Sequence, residues 1–281
     1  MERKIGKQVT GFRTKDGAGV SLVRVLGHGT VDAYDPILML DSFDSTNPDD
    51  YTAGFPLHPH RGIETISYVY RGQMTHRDSL GNEDTIRDGE VQWMTAGSGI
   101  LHEEKLPASE RMLGVQLWLN LPAKDKMAEP GYRSIKNSEI EEISLENEIG
   151  KIRLLAGRYK DHTGYASHYL PLDYYDIHLN PRASMVIETD PDRSIMVFTL
   201  LGDAMIDDEK VKEKTAVKLT AGECVTIGAA EQKAQVLFVS SRRLGEPVSW
   251  GGPIVMNTKE ELNQAFADLR NGTFIQKAIT Y

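Results

Sequence analysis

The feature that most constrains the fold is a rhythm of short apolar runs separated by turn residues. The run IETISYVY (63–70) is rich in β-branched and aromatic residues, which favour strands. Turns follow at RGQ (71–73), LGN (80–82) and RDGE (87–90), where glycine and asparagine tolerate positive φ. Later, MLGVQLWLNLP (112–122) places leucine or valine at every second position, as in a strand with one face in a core. We therefore predict an all-β protein.

The second half of the chain repeats the rhythm of the first. In both halves a strand, a glycine turn, a hairpin, a second glycine turn and an apolar strand follow one another. In this alignment Gly202 corresponds to Gly72, and Gly222 to Gly89. The repetition predicts an internal duplication of one all-β unit. The second copy has no histidine at the corresponding sites, so any metal chemistry is predicted in the first.

A polar, charged stretch broken by Pro130-Gly131 separates the two halves. Such a stretch is typical of an interdomain linker. A length of 281 residues also suits two domains of ordinary size. We predict an N-terminal metal-binding domain over residues 1–135, a linker over 136–148 and a C-terminal domain without metal ligands over 149–281.

One helix is predicted near the end of the chain, in NTKEELNQAFADLRNG (257–272). Thr258 is a good N-cap, and Glu261 stands three residues later, which completes a capping box. Gly272 can supply the left-handed residue that ends the helix. We expect this helix to pack against a sheet or a neighbouring subunit.

The charge and cysteine content limit the kinds of partner. The formal net charge is −9 and the pI is about 5.4, so direct nucleic-acid binding is not expected. The only cysteine is Cys224, so no intrachain disulfide can form. The N-terminal stretch MERKIGKQVTGF has no apolar run of a signal peptide, and no segment has the length of a membrane span. These features predict a cytoplasmic protein that does not associate with membranes.

The stretch FPLHPHRGIET (55–65) places two histidines two residues apart before a predicted strand. In an extended segment, residues i and i+2 point to the same side, so His58 and His60 would face one way. Pro59 favours this conformation, because the residue before a proline is pushed towards extended backbone. Alone, this pattern is weak evidence, since histidines in loops are common.

A second pair of the same spacing follows in AGSGILHEEKLP (96–107), where His102 and Glu104 share a face and Glu103 points away. Three neutral imidazoles and one carboxylate form a ligand set that suits a divalent transition metal. Water or substrate would take the remaining positions, which is typical of a catalytic site. The alternative is two unrelated histidine clusters at the ends of loops.

The remaining candidates have simpler interpretations. His76 is interpreted as a solvated residue or as one that supports the ligands from behind. Trp93 and Met94 are expected in the core or in the wall of a pocket. Four other histidines have no matching partner and are expected to be ordinary surface or turn residues: His28, His162, His168 and His178.

The segments HPHRGIET, HRDSLGN, GEVQWMTAGSGILHEE and GGPIVMNTKEEL resemble the pirin family of the cupin superfamily, and the likeness extends over nearly the whole chain. The resemblance implies a bicupin, with two antiparallel β-barrels of the double-stranded β-helix or jelly-roll type facing each other, and a C-terminal helix. It also implies a single metal, usually iron, in the N-terminal barrel. The family's ligands fall on His58, His60, His102 and Glu104.

The resemblance and the ligand set together suggest a function. A site of this kind suits Fe(II) that binds O₂ and an oxygenated organic substrate, although Mn, Co, Ni, Cu and Zn also suit these ligands. Some pirins are associated with quercetin 2,3-dioxygenase activity. The resemblance therefore implies a dioxygenase that opens the ring of a flavonol-like phenolic. The metal would lower the pKa of the substrate's hydroxyl group, and Glu104 would accept that proton when its bond to the metal is labile.

Two alternatives to the dioxygenase stay open. Some pirins are linked to transcriptional co-regulation, in which the redox state of the iron controls binding to a protein partner without catalysis. The acidic charge fits a protein partner better than direct contact with DNA. A metal-dependent isomerase or decarboxylase, as found elsewhere among cupins, is the third hypothesis.

Overall fold

The structure is a computed structural model that describes residues 1–276. The chain forms two compact units, and each is assembled from separate stretches of sequence. Unit I consists of Met1–Phe12, Gly29–Pro36 and Asn137–Arg243. Unit II consists of Arg13–His28, Ile37–Lys136 and, among the described residues, 244–276.

Strands dominate the described chain. The first thirteen are β1 (Ile5–Thr10), β2 (Phe12–Asp16), β3 (Val20–Leu26), β4 (Ile37–Ser45), β5 (Phe55–His60), β6 (Ile63–Arg71), β7 (Met74–Asp78), β8 (Glu83–Ile86), β9 (Glu90–Thr95), β10 (Ile100–Lys105), β11 (Met112–Asn120), β12 (Gly131–Ile135) and β13 (Glu141–Ser144). The others are β14 (Gly150–Ala156), β15 (Arg158–Tyr159), β16 (His162–Thr163), β17 (Leu172–Leu179), β18 (Ser184–Glu188), β19 (Arg193–Leu201), β20 (Ala204–Ile206), β21 (Glu209–Val211), β22 (Thr215–Leu219), β23 (Cys224–Ala229), β24 (Ala234–Arg242), β25 (Ser249–Gly251) and β26 (Ile254–Met256).

Helices are few and mostly short. The α-helices are α1 (Val31–Tyr34) and α2 (Lys259–Asn271). Single 3₁₀ turns occur at His28–Thr30, Pro48–Asp50, Ala123–Asp125, Asn137–Glu139 and Glu146–Glu148. Within residues 1–276, no helix has both the length and the apolar character needed to cross a membrane.

Unit II contains two antiparallel sheets and a small hairpin. The seven-stranded sheet has the order β12-β9-β6-β11-β4-β3-β2, and the four-stranded sheet has the order β5-β10-β7-β8. Apolar side chains from both sheets form one cluster, which includes Phe43, Val69, Met74 and Ile86. The β25–β26 hairpin and α2 complete the unit.

Unit I has the same build. Its sheets have the orders β1-β22-β19-β24-β17-β14-β13 and β18-β23-β20-β21. Its apolar cluster also draws on both sheets, with Ile152, Ile177 and Val197 on one and Ile187 and Ile227 on the other. The period of two in these strands buries alternate residues in this cluster.

The two sheet orders correspond strand by strand, which confirms the predicted duplication. Strands β9-β6-β11-β4-β3 of unit II match β22-β19-β24-β17-β14 of unit I. Gly72 and Gly202 end matching strands and have φ values of 100° and 71°. The predicted match of Gly222 with Gly89 is wrong by one strand. Gly222 precedes β23, the counterpart of β10, so its partner is Gly97 in the turn before β10.

The stretch predicted as a linker, 136–148, contains β13, which pairs with β14 in the large sheet of unit I. Three apolar side chains around it, Ile143, Leu145 and Ile149, pack against the unit I cluster. A strand with so few apolar residues has the composition of a linker, because only one of its faces needs to be buried. The boundaries 1–135 and 149–281 stay a prediction, and the compact units differ from them in including chain from both ends.

The C-terminal helix forms as predicted. Thr258 accepts a hydrogen bond from the Glu261 amide, the Glu261 side chain accepts one from the Thr258 amide, and Gly272 has a φ of 72°. The helix lies against the β25–β26 hairpin through a small apolar cluster that includes Ile254, Met256 and Ala265. Of the two expected neighbours, a sheet or another subunit, the structure therefore supplies a β-hairpin.

Candidate metal centre

The candidate site begins with the pairing of two strands of unit II. Strand β5 is extended over Phe55–His60 as predicted, and it pairs antiparallel with β10. The register places His58 directly opposite His102. Residues opposite each other on neighbouring strands have close side chains, so the two histidine motifs meet although more than forty residues separate them in sequence.

The three histidines form one compact group. The ring centroids of His58 and His102 are 4.4 Å apart, and those of His60 and His102 are 5.1 Å apart. One ligand nitrogen from each residue lies within 4.8 Å of the others. The Nε2 atoms of His58 and His60 are 3.1 Å apart. Two nitrogens that bind one ion at about 2.0–2.1 Å each are separated by a similar distance when they meet at a right angle.

The other ring nitrogens of the β5 pair are occupied by backbone carbonyls. His58 Nδ1 lies 2.8 Å from the Pro56 oxygen, and His60 Nδ1 lies 2.9 Å from the Pro253 oxygen. A carbonyl oxygen can only accept, so each Nδ1 carries the proton and donates it. The Nε2 lone pairs are therefore left bare, which is the usual arrangement of a histidine that binds a metal through Nε2.

His102 provides the clearest test of whether the residues fit a metal ion. Its side chain is buried, and its Nε2 atom has no hydrogen-bond partner among residues 1–276. A buried polar atom without a partner costs about 1–3 kcal/mol, so such atoms need an explanation. A metal ion shared with His58 and His60 would supply the missing partner. The group therefore fits a bound metal.

Electrostatics also favour neutral imidazoles. Burial lowers the pKa of His60 to about 3, and a protonated His58 nearby would lower it further. Burial likewise lowers the pKa of His102 well below its ordinary value, with the other histidines acting in the same direction. A neutral imidazole keeps the lone pair that a metal requires, so both residues are in the ligand form at neutral pH.

Glu104, predicted as the fourth ligand, has a different environment. It is buried on the same side of β10 as His102, as the i, i+2 spacing predicts. Its carboxylate accepts hydrogen bonds from the side-chain amides of Gln92 and Gln116, the latter at 2.8 Å. Within the described chain, the group of ligand atoms within 4.8 Å of one another contains the three histidines only. Coordination by Glu104 stays a prediction.

A cavity of about 520 Å³ in unit II opens onto two of the histidines. His58, His60 and Gln116 lie on its wall beside Trp118 and Trp250. The two indole rings are 5.7 Å apart, and Trp118 also meets His60 edge to face at 5.0 Å. A cavity of this size with aromatic walls and a few polar groups is typical of a small-molecule site.

The cavity also has a charged corner. Arg24 donates to buried Asp41 through Nε at 2.9 Å and Nη2 at 2.7 Å, and to Asp16 through Nη2 at 2.6 Å. Burial alone would raise the pKa of Asp16, but the hydrogen bonds from Arg24 and the Gly17 amide hold it below its ordinary value. Two carboxylates and one guanidinium leave this corner with a net negative charge.

The other histidines outside the three-histidine group lie in different environments. His76 is fully buried, so of its two interpretations the solvated one is wrong. His28 is exposed, but it stacks on Trp250 at 3.9 Å and lines the cavity. His162 and His178 pair with carboxylates of unit I outside the histidine group. Trp93 is buried and donates to Glu64 at 3.0 Å, which places it in the core.

Sequence reasoning missed Gln92, Gln116 and Trp118 as residues around the site. Strand β11 was predicted to bury one face, yet all nine of its residues are buried. The leucine face is buried, while Gln116 and Trp118 on the opposite face line the cavity. The available signal was Gln116, a glutamine flanked by apolar residues on a predicted strand. A buried side-chain amide needs hydrogen-bond partners, which indicates other polar groups nearby.

Comparison with known proteins agrees with this architecture. Residues 19–119 match the Pirin family model, and residues 174–275 match the model of the Pirin C-terminal cupin domain. The chain is 40% identical over 274 residues to a protein of Pseudomonas aeruginosa provisionally named quercetin 2,3-dioxygenase, covering 94% of this chain and 95% of the relative. It is 33% identical over 275 residues to the pirin of Homo sapiens, covering 96% and 93% of the two chains.

A solved structure of a quercetin 2,3-dioxygenase has the same fold. The crystal structure of a quercetin 2,3-dioxygenase from Acinetobacter baumannii matches with a TM-score of 0.90 and 31% identity over all of both chains. Two units of matching sheet order, one of which carries a three-histidine group, define a bicupin of the cupin superfamily. Within that superfamily, the chain belongs to the pirin family.

Proposed function

We propose that this protein is a metal-dependent dioxygenase that opens the ring of a flavonol-like phenolic with O₂. The observation that carries the proposal is the opening of the three-histidine group onto an aromatic-walled cavity. The relatives named as quercetin 2,3-dioxygenases support the same reaction class. Both oxygen atoms enter the product in such a reaction, so no separate reductant is needed.

The proposed metal is iron(II), held by His58, His60 and His102, with Glu104 as the proposed fourth ligand. When bound, iron would supply the Lewis acidity and the O₂ chemistry that no side chain of this protein can supply. Manganese, cobalt, nickel, copper and zinc suit the same imidazoles, so the metal is part of the proposal.

The cavity residues favour a neutral aromatic substrate. Trp118 and Trp250 offer flat apolar surfaces for a ring system, and a planar ligand would lose little entropy on stacking against them. The negative corner at Asp16 and Asp41 disfavours a carboxylated ligand but can accept hydrogen bonds from hydroxyl groups. A phenolic with several hydroxyl groups meets both conditions.

Glu104 is the proposed acceptor of the substrate's hydroxyl proton. It is a buried carboxylate on the strand that carries His102, and the amides of Gln92 and Gln116 hold its orientation. Because these amide groups donate and do not accept here, the carboxylate is the only acceptor in this cluster that can take up a proton.

The test is O₂ uptake by protein of measured iron content, with quercetin and a panel of related phenolics. We expect uptake that needs iron and substrate together. His102→Ala should abolish it through loss of metal, and Glu104→Gln should lower kcat by about 10²-fold or more. His178→Ala, which changes a histidine of unit I, is the matched control and should keep full activity.

Absence of O₂ uptake by protein with one iron per chain, across the whole panel, would refute the dioxygenase. Substrate consumption without O₂ would then indicate the isomerase or decarboxylase. A protein complex that forms with only one oxidation state of the iron, without turnover, would indicate the redox co-regulator.

A further inference from the structure

A chain of buried hydrogen bonds lies behind His102, and within residues 1–276 it has no counterpart behind the other two histidines. His102 Nδ1 lies 3.3 Å from His76 Nδ1, and His76 Nε2 lies 2.8 Å from Asp78 Oδ2. The side chains of His76 and Asp78 are completely inaccessible to solvent. His58 and His60 instead donate to backbone carbonyls. Among the described residues, His102 is thus the one histidine of the three that hydrogen bonds connect to a carboxylate.

The Asp78 carboxylate, at the far end of these hydrogen bonds, is held by the turn after β7. Asp78 Oδ1 accepts from the Leu80 amide at 2.8 Å and from the Asn82 amide at 3.1 Å, and the Asn82 side chain donates to Oδ2 at 2.9 Å. Every one of these partners is a donor, so the Asp78 side chain acts as an acceptor throughout. His76 must therefore donate its Nε2 proton to Asp78.

The proton on His76 Nε2 determines which ring nitrogens of His76 and His102 donate and which accept. A neutral His76 with its proton on Nε2 has a bare Nδ1, which can only accept. Its neighbour, His102 Nδ1, must then carry the proton and donate it. His102 is left with a bare Nε2, which is the buried atom without a partner in the three-histidine group. Tyr132 stacks on the His76 ring at 4.1 Å and 10°, which holds the ring plane.

We propose that Asp78 and His76 are positioning residues that fix the tautomer of His102 so that Nε2 faces the metal. The inference rests on the metal site of the proposed function but does not require catalysis. A carboxylate at the end of the chain also makes His102 the most electron-rich of the three imidazoles. The metal would therefore be bound by two imidazoles that donate to backbone carbonyls and one that is linked through His76 to a carboxylate.

The variant Asp78→Asn tests the proposal because it reverses the direction in which the hydrogen bonds between residue 78, His76 and His102 are donated. The oxygen of the introduced amide can still accept from the Leu80 and Asn82 backbone amides. The introduced NH₂ group then faces His76 Nε2, and the Asn82 side-chain amide must turn its own oxygen towards that NH₂ group. His76 must then accept at Nε2 and donate from Nδ1, so His102 accepts at Nδ1 and carries its proton on Nε2. We expect the affinity for Ni²⁺ or Zn²⁺ to fall by about 10- to 100-fold.

A matched control exists in unit I. His178 Nε2 lies 2.8 Å from Asp176 Oδ2, and Asp176 is fully buried and also accepts from Gln235 at 2.9 Å. Asp176→Asn removes a buried carboxylate from the same kind of pair outside the three-histidine group. This variant should bind the metal as tightly as the unmodified protein.

Nitrogen NMR of the metal-free protein, with ¹⁵N-labelled histidine, gives a second readout that does not depend on the variant folding. Protonated and bare ring nitrogens have distinct shifts, so the tautomers of His76 and His102 can be read directly. We expect the proton of His102 on Nδ1 in the unmodified protein. A proton on Nε2 there, or Asp78→Asn with unchanged metal affinity, would overturn the proposal. Neither measurement involves O₂ or turnover, so failure of the dioxygenase would be seen separately.

Discussion

Each of the three histidines offers one bare nitrogen because the protein has already engaged the other. Two of the engaged nitrogens donate to backbone carbonyls, and the third is connected to a carboxylate. Under the proposed function, the site is therefore arranged for a metal before any metal binds. None of the three histidines belongs to the apolar cluster that both sheets of unit II form, so that cluster does not depend on them.

This arrangement gives a prediction for the residues themselves. His58→Ala or His102→Ala should abolish stoichiometric metal binding and leave the fold intact. For partly exposed His58 we expect the free energy of unfolding to change by no more than about 1 kcal/mol. Metal analysis and far-UV circular dichroism of the metal-free variants provide the check. Global unfolding of these variants would instead make the metal a structural component.

The sequence predicted the residues that share a strand and could not predict those brought in from afar. The i, i+2 spacing identified His58, His60 and His102 because side-chain direction in a strand follows from spacing alone. Pro253, whose carbonyl engages His60, is 193 residues distant along the chain, and no local pattern marks it. His76 and Asp78 do have the same spacing, but their burial depends on how β7 pairs with β10.

At the scale of elements, one arginine connects the histidine strand to the C-terminal helix. The Arg61 guanidinium, next to His60, is 2% exposed and donates to the Ser98 oxygen at 2.7 Å and to Asp268 Oδ2 at 2.7 Å. It also donates to the Phe274 oxygen at 3.0 Å and lies 4.2 Å from the centre of that ring. Helix α2 therefore holds the turn that follows the first two histidines of the group.

The Arg61–Asp268 pair should give the stability a defined pH dependence. The hydrogen bond from Arg61, and then that from Gln264, lowers the pKa of Asp268. A lowered pKa in the folded state stabilises the protein above the carboxyl's unfolded pKa of about 3.9, and this stabilisation is lost as the pH falls through the folded pKa. At pH 7, Asp268→Asn should reduce the free energy of unfolding by about 2 kcal/mol.

Urea unfolding of both proteins over a range of pH measures this difference. It should shrink as the pH falls below about 3.9 and through the lowered pKa of Asp268, because the carboxyl of the unmodified protein becomes protonated and loses its charge. Asp161→Asn, a substitution at an exposed position, is the control and should have little effect at any pH. A difference that stays constant or grows in acid would contradict the role assigned to the ion pair.

The elements themselves were largely predictable, since strand period and turn chemistry are local properties. Helix α2 was predicted together with both caps because a capping box and a terminal glycine act within a few residues. The double burial of β11 was not predictable from its period. The polar face of that strand lines the cavity beside the histidine group, and the cavity forms from residues that are distant in sequence.

At the scale of the whole molecule, the chain ends belong to units other than the nearest ones in sequence. Strand β1 pairs with β22 in unit I, and the β25–β26 hairpin with α2 belongs to unit II. A fragment cut at residue 135 would therefore carry a strand without its partner. It would also lack the carbonyl that engages His60 and the carboxylate that pairs with Arg61.

Two fragments test this interleaving. Residues 1–135 alone should aggregate or unfold without cooperativity. Residues 13–136 joined by a flexible Gly/Ser linker to 244–276 should fold and bind a metal ion, because they contain the histidines and their supporting groups. Circular dichroism during thermal unfolding and metal titration would compare them. Cooperative unfolding and metal binding by 1–135 alone would show that the C-terminal segment is dispensable.

The pairing of β1 with β22 also has a consequence for synthesis on the ribosome. Thr10 pairs with Thr215, so 205 residues separate the emergence of the two partners. At roughly 5–20 residues per second, strand β1 waits about 10–40 s before its partner exists. Most of its residues are exposed, including Lys7 and Gln8, so the unpaired strand presents little apolar surface for association with other chains. Strand β1 is thus suited to delayed pairing.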